Sequence, residues 1–235
     1  MKIQIQKYDP AVDAAPYYVT GEVPHKEQMT VLEAVTYFTE NCEYIAFDYS
    51  CHGRQCGRCA VMMDGVPVMM CCTPITDGDH VIEPLKGHPA MRDLIVDKSE
   101  YHDRLSREYV RVRVNPLTNE DVDNFGGQDG SQSGTIWALN RCMRCGVCDA
   151  ACPTKALKPI EFAGPSTMVA IAFRHLDPYD QGDRVMEAVS KGLYHCIQCG
   201  MCDSVCQRFE IDHLGVWQIL RDAAEARGLK PNYAQ

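Results

Sequence analysis

Twelve of the fourteen cysteines in this chain fall into three groups. The first is Cys51, Cys56, Cys59 and Cys71, spaced C-x4-C-x2-C with a fourth cysteine after eleven intervening residues. The second is Cys142, Cys145, Cys148 and Cys152, followed by Pro153. The third is Cys196, Cys199, Cys202 and Cys206. These spacings constrain the fold more than any other feature, because each set of thiolates must converge on one inorganic group. The first matches the plant-type 2Fe–2S pattern, and the other two match the bacterial two-cluster ferredoxin run. Three clusters in one chain make a path for single electrons.

A disulfide scaffold is the competing use of so many cysteines. It suits small secreted chains. Here MKIQIQKYDP opens directly into an alternating strand pattern rather than a signal peptide. The expectation is therefore metal binding in a reducing cytoplasm. No apolar run reaches the 18 residues that a membrane span needs. A net charge of −9 without a long basic block argues against nucleic acid as a partner.

The first hundred residues read as strand, strand, helix, cluster loop, hairpin, strand. Lys2–Tyr8 alternates Ile3 and Ile5 with polar residues. Pro16–Val23 is a second strand. Thr30 and Glu33 form a capping box ahead of a helical face of Leu32, Val35, Tyr37 and Phe38. Ala60–Met63 and Val66–Cys71 flank the turn pair Asp64-Gly65, and His80–Leu85 closes the set. This is the order of a β-grasp ferredoxin domain. After Met91 helices take over, around Thr135–Leu139, Ser166–His175, Asp183–Lys191 and His213–Arg227, with an extended piece at Arg111–Asn115 and a Gly/Ser-rich loop at Asn124–Gly134. The expected class is α+β: a 2Fe–2S domain over residues 1–105 and an all-α domain with two 4Fe–4S clusters over 106–235.

Gly53 and Gly57 permit tight turns in the first cluster loop, and Cys71 arrives from the strand after the hairpin. Cys72, beside it, points to the opposite face of that strand and reads as a small buried hydrophobe. Cys42 has the same reading. In C-x2-C-x2-C-x3-C the fourth cysteine serves the other cluster. Cys142, Cys145 and Cys148 then pair with Cys206, and Cys196, Cys199 and Cys202 with Cys152. Zinc would favour two separate four-ligand knots and has no need of the repeated triplet. His52, His88, His175 and His195 are not needed as ligands. Arg54, Arg58, Arg141 and Arg144 lie beside ligands, where they either raise cluster potentials or stay solvated. No Ser/His/Asp triad, Walker loop or G-x-G-x-x-G occurs, so no catalytic residue is expected in this chain.

The segments CHGRQCGRC, MCCTPI, IEPLKGHPAMRDLIVD, CMRCGVCDAACP, FAGPS and CIQCGMCDSVC resemble the iron–sulfur subunit of succinate dehydrogenase and fumarate reductase. The resemblance spans nearly the whole chain. It implies a partner flavoprotein that carries FAD and the dicarboxylate site, a membrane anchor with quinone at the other end, and a cytoplasmic place peripheral to the membrane. Two departures stand out. Common members hold a 3Fe–4S cluster in the last run, with a non-cysteine at the position that is Cys199 here. Quinone-reactive members carry Trp and His at the positions of Leu157 and Ile197, which puts a conventional quinone site in doubt. Two alternatives share the cysteine pattern: a related flavoprotein acting on a substituted dicarboxylate, and a free polyferredoxin. The segment Ile211–Gln235 argues against the second, since a free carrier has no need of it.

Overall fold

Alternating apolar residues near the N-terminus build the centre of a mixed five-stranded sheet. The computed structural model describes residues 1–123, 130–207 and 211–231. The strands are β1 (Lys2–Lys7), β2 (Tyr17–Glu22), β3 (Ala60–Met63), β4 (Val66–Met69) and β5 (His80–Pro84), in the order β2-β1-β5-β3-β4. β1 runs parallel to β5; the other pairings are antiparallel. Ile3, Ile5, Val61 and Ile82 are buried beside Leu32, Val35 and Phe38 of α1 (Val31–Asn41). Each such side chain contributes roughly 1.5–3 kcal/mol by leaving water. The capping box forms: Thr30 Oγ1 accepts from the Glu33 N–H at 3.2 Å, and Glu33 Oε2 accepts from the Thr30 N–H at 2.7 Å. Asp64 and Gly65 turn β3 into β4 with φ of +52° and +80°, the left-handed pair that a two-residue hairpin requires.

This sheet belongs to the first of two compact units, which comprises Met1–Glu100, Met143–Ala151 and Val205–Gln207. It also holds a small hairpin of β6 (Ala90–Arg92) and β7 (Ile95–Val96) and the short helix α5 (Val147–Ala151). Asp93 explains the R-D-L motif. It is buried, and its carboxylate accepts from the N–H groups of Tyr8 at 2.9 Å and Ala46 at 2.7 Å. One carboxylate thus anchors the segment to the end of β1 and to the approach of the first cysteine loop.

The second unit comprises Tyr101–Cys142, Cys152–Ser204 and Arg208–Gln235. Its described residues hold helices and turns: α2 (Ser99–Tyr109, begun in the first unit), α3 (Asn119–Asp123), α4 (Ser133–Asn140), α6 (Pro153–Leu157), α7 (Pro165–His175), α8 (Arg184–Ser190), a 3-10 turn at Leu193–His195, α9 (Met201–Val205, ending in the first unit) and α10 (His213–Ala226). α7 is buried from Pro165 through Ala172, as its nearly continuous apolar sequence dictates. α4, α8 and α10 pack on it. Trp217 of α10 donates its indole N–H to the Leu193 carbonyl at 3.2 Å.

Several expectations change. The second hairpin strand stops at Met69, so Cys71 and Cys72 lie in the turn that follows. Arg111–Asn115 is not a strand, although Val112 accepts from the Gln181 N–H at 2.9 Å. Within the Gly/Ser-rich stretch, residues 124–129 lie outside the described residues, and Ser133 already starts α4.

Candidate iron–sulfur centres

The first cysteine loop is a run of backbone donors wrapped around one sulfur. The N–H groups of Gly53, Gln55 and Cys56 reach Cys51 Sγ at 3.4, 3.2 and 3.3 Å. They hold its thiol pKa down to about 6. This donor set suits a thiolate whose charge grows on reduction of a bound cluster. The turns are made by His52, Arg54 and Gly57, with φ of +52°, +57° and +69°. Gly53 has no positive φ, so two residues with side chains take the strain assigned to it from sequence. Cys59 is buried, and that burial pushes its thiol up to about 12, opposed by the Cys71 backbone N–H and reinforced by the Cys71 side chain and by Cys56. Metal coordination would supply the cation that turns a neutral thiol there into a thiolate.

Gly57 also lies against the second cysteine run. A Cβ there would lie 2.6 Å from the Met143 carbonyl oxygen. Lys98 bridges these two loops, and Cys72 bonds the residue after Cys206. Lys98 Nζ donates to the carbonyls of Gly57 at 3.2 Å and Cys145 at 3.0 Å. Cys72 Sγ donates to Gln207 Oε1 at 3.3 Å. Burial lowers the Lys98 pKa, against the opposing pull of Cys145, Cys59, Asp48 and Cys56. Cys72 is thus half-buried and bonded, and burial pushes its thiol up to about 11. Cys42 is exposed at the end of α1, contrary to its expected burial, with Sγ 3.6 Å from the Glu22 carbonyl.

The second and third runs share one backbone shape. Arg144 and Gly146 have φ of +53° and +86°; Gln198 and Gly200, 54 residues later, have +54° and +73°. Alternation into the left-handed region turns successive N–H groups inward, the form of an anion-binding nest. The Gln198 N–H points at Cys196 Sγ at 3.4 Å.

The fourth cysteine of each run changes unit. Cys145, Cys148 and Cys206 belong to the first unit, whereas Cys152, Cys196, Cys199 and Cys202 belong to the second, as does Cys142 at the end of its segment. Within the second unit Cys152, Cys196, Cys199 and Cys202 line one cavity with Phe162 and Trp217. Cys152 caps α6, with Sγ 3.5 Å from the Lys155 N–H and Pro153 in the first turn. Burial raises the Cys196 thiol and pushes Cys202 up to about 12; Cys152 contributes to both. Arg221 donates to the Cys196 carbonyl at 2.7 Å, the counterpart of Lys98 on Cys145. Among the described residues, which include all fourteen cysteines, no disulfide forms. Arg58 is engaged by Asp48 at 2.8 Å. Lys98 and Arg221 went unnoticed in the sequence, since isolated cations carry no spacing signal.

Residues 2–103 match the model of a 2Fe-2S iron-sulfur cluster binding domain, and residues 138–209 match that of a 4Fe-4S dicluster domain. The fumarate reductase iron-sulfur subunit of Escherichia coli is 32% identical over 215 residues, covering 88% of this chain and 86% of that one. The chain belongs to the iron–sulfur subunit family of succinate dehydrogenases and fumarate reductases. A further relative, one of the subunits of the fumarate reductase (CoM/CoB) of Methanothermobacter marburgensis, is 32% identical over 209 residues; this chain spans 41% of its length. A chain of the Mycobacterium smegmatis Sdh1 complex in the apo form shares the fold, with a TM-score of 0.76, 22% identity and 98% coverage of both chains. Among the described residues no helix is long and apolar enough to cross a membrane.

Proposed function

We propose that this chain is the electron-transfer subunit of a succinate dehydrogenase/fumarate reductase-type complex, with residues 1–105 as its 2Fe–2S domain and 106–235 as its two-cluster domain. Cys51, Cys56, Cys59 and Cys71 hold one 2Fe–2S cluster. Cys142, Cys145, Cys148 and Cys206 hold one 4Fe–4S cluster, and Cys152, Cys196, Cys199 and Cys202 hold a second. When bound, each cluster takes up and releases one electron. The observation that carries the reading is the second-unit cavity, where the last cysteine of one run meets the first three of the next. That exchange is the signature of a two-cluster ferredoxin and supports four thiol ligands there rather than three.

The protein's own part is to hold thiolates and aim N–H donors at them. Substrate chemistry falls to an FAD-bearing partner at which a dicarboxylate, or a substituted one, is oxidised or reduced. The complex then lies at the cytoplasmic membrane through its other subunits. Leu157 is 83% exposed and Ile197 68% exposed. Neither offers a hydrogen bond to a quinone carbonyl, which favours a different acceptor arrangement at that end.

The test uses the complex purified with its flavoprotein. Cys56→Ala removes one ligand of the first cluster. Electron flow from dicarboxylate to a distal acceptor should cease, while part of the activity with dyes that reach the flavin directly should remain. Full distal transfer in that variant would overturn the proposed order of centres.

A further inference from the structure

The first unit contains a cation whose contacts the proposed function does not yet use. Lys98 follows the anchored R-D-L segment, whose Asp93 fixes its backbone to Tyr8 and Ala46. Asp97 accepts from the Ser99 N–H at 2.8 Å, holding the chain on the other side of Lys98. The half-buried side chain then spends two of its three N–H donors on carbonyls from two different cysteine loops: Gly57, between Cys56 and Cys59, and Cys145 itself. The loops are already in contact at Gly57, where only glycine fits against the Met143 carbonyl. The Cys72–Gln207 bond joins the residues that follow Cys71 and Cys206. The ammonium therefore sits where the ligand loops of two centres meet.

We propose that Lys98 is a positioning residue that ties these two loops together and, through its fixed charge, raises the reduction potentials of both clusters they hold. The inference rests on the cluster assignment above. Reduction adds one negative charge to a cluster. A nearby ammonium with few waters around it stabilises that added charge more than the oxidised state, because Coulomb energy grows as the local dielectric falls. Acting on both centres at once, Lys98 raises the two potentials together and leaves the step between them little changed.

The test is an anaerobic potentiometric titration of the whole complex, read by EPR, with iron content measured in each sample. Lys98→Met keeps the stem and removes the charge; Lys98→Arg keeps the charge. With full iron, Lys98→Met should make the 2Fe–2S centre and the 4Fe–4S centre of Cys142, Cys145, Cys148 and Cys206 about tenfold harder to reduce, equivalent to about 59 mV for one electron. Lys98→Arg should restore both. The centre of Cys152, Cys196, Cys199 and Cys202 serves as the internal reference and should move less. Unshifted potentials in a fully loaded Lys98→Met sample overturn the proposal, as does an equal shift at all three centres. Should Lys98→Met lose iron, Lys98→Arg decides: full loading with wild-type potentials supports the proposal, and full loading with lowered potentials overturns it. Wild-type protein without these clusters would instead overturn the cluster assignment itself.

Discussion

The Cys199 thiol is exposed and lines the same cavity as Cys152, Cys196 and Cys202. Its neighbours Gln198 and Gly200 both adopt positive φ, as Arg144 and Gly146 do beside Cys145. That repeated backbone shape supports the proposed role of Cys199 as a ligand. Cys199→Ala should convert the last centre to a 3Fe cluster or a labile one and leave the other two intact. EPR of the anaerobically prepared variant reads this directly; an unchanged spectrum would make Cys199 a bystander. The cysteine runs were visible as spacing, and their assignment as ligands is the proposal made above. Their supporting groups were not. The three N–H donors on Cys51 belong to the backbone of Gly53, Gln55 and Cys56, and side-chain identity says nothing of where an N–H points. Gly53 drew attention as the permissive residue, yet His52 and Arg54 make the turn, since a ligand loop fastened at several points can hold non-glycine residues in the left-handed region.

At the scale of elements, local chemistry was readable where it is self-contained. The Thr30–Glu33 box and the Asp64-Gly65 turn each involve a few adjacent residues, and both form as expected. β6 and β7 escaped notice because strands of three and two residues cannot display a period of two. α2 escaped because its sequence SEYHDRLSREY is mostly polar, with only Tyr101, Leu105 and Glu108 buried. Non-local ion pairs were beyond reach as well. Arg184 of α8 has a side chain only 5% exposed and bonds Asp180 at 2.8 Å, Glu187 at 2.7 Å and the Val110 carbonyl at 2.6 Å. Asp180 is itself 1% exposed. Removing the cation strands a buried carboxylate, which costs about 3–5 kcal/mol. Arg184→Met should therefore lower the midpoint of anaerobic urea unfolding by that amount of stability. A loss below about 1 kcal/mol would show that the network is solvated and of little weight.

For the molecule as a whole, the chain passes between its two units after Glu100 and again within the second and third cysteine runs. It crosses between Ala151 and Cys152 and returns at Val205, so the fourth cysteine of each run lies in a different unit from the third. Sequence spacing is the basis of the proposed exchange of ligands, whereas the alternation of chain segments between the two units carries no sequence signal. In the proposed assignment each cube draws thiolates from both cysteine runs, so cluster binding becomes part of folding. The account stands on the identity of those inorganic groups. Iron analysis with EPR on anaerobically purified, unoxidised protein tests it most directly. It should give about ten irons per chain, from one 2Fe–2S and two 4Fe–4S clusters, with three distinct reduced signals. Stoichiometric zinc, or a 3Fe signal in place of the second cube, would contradict it.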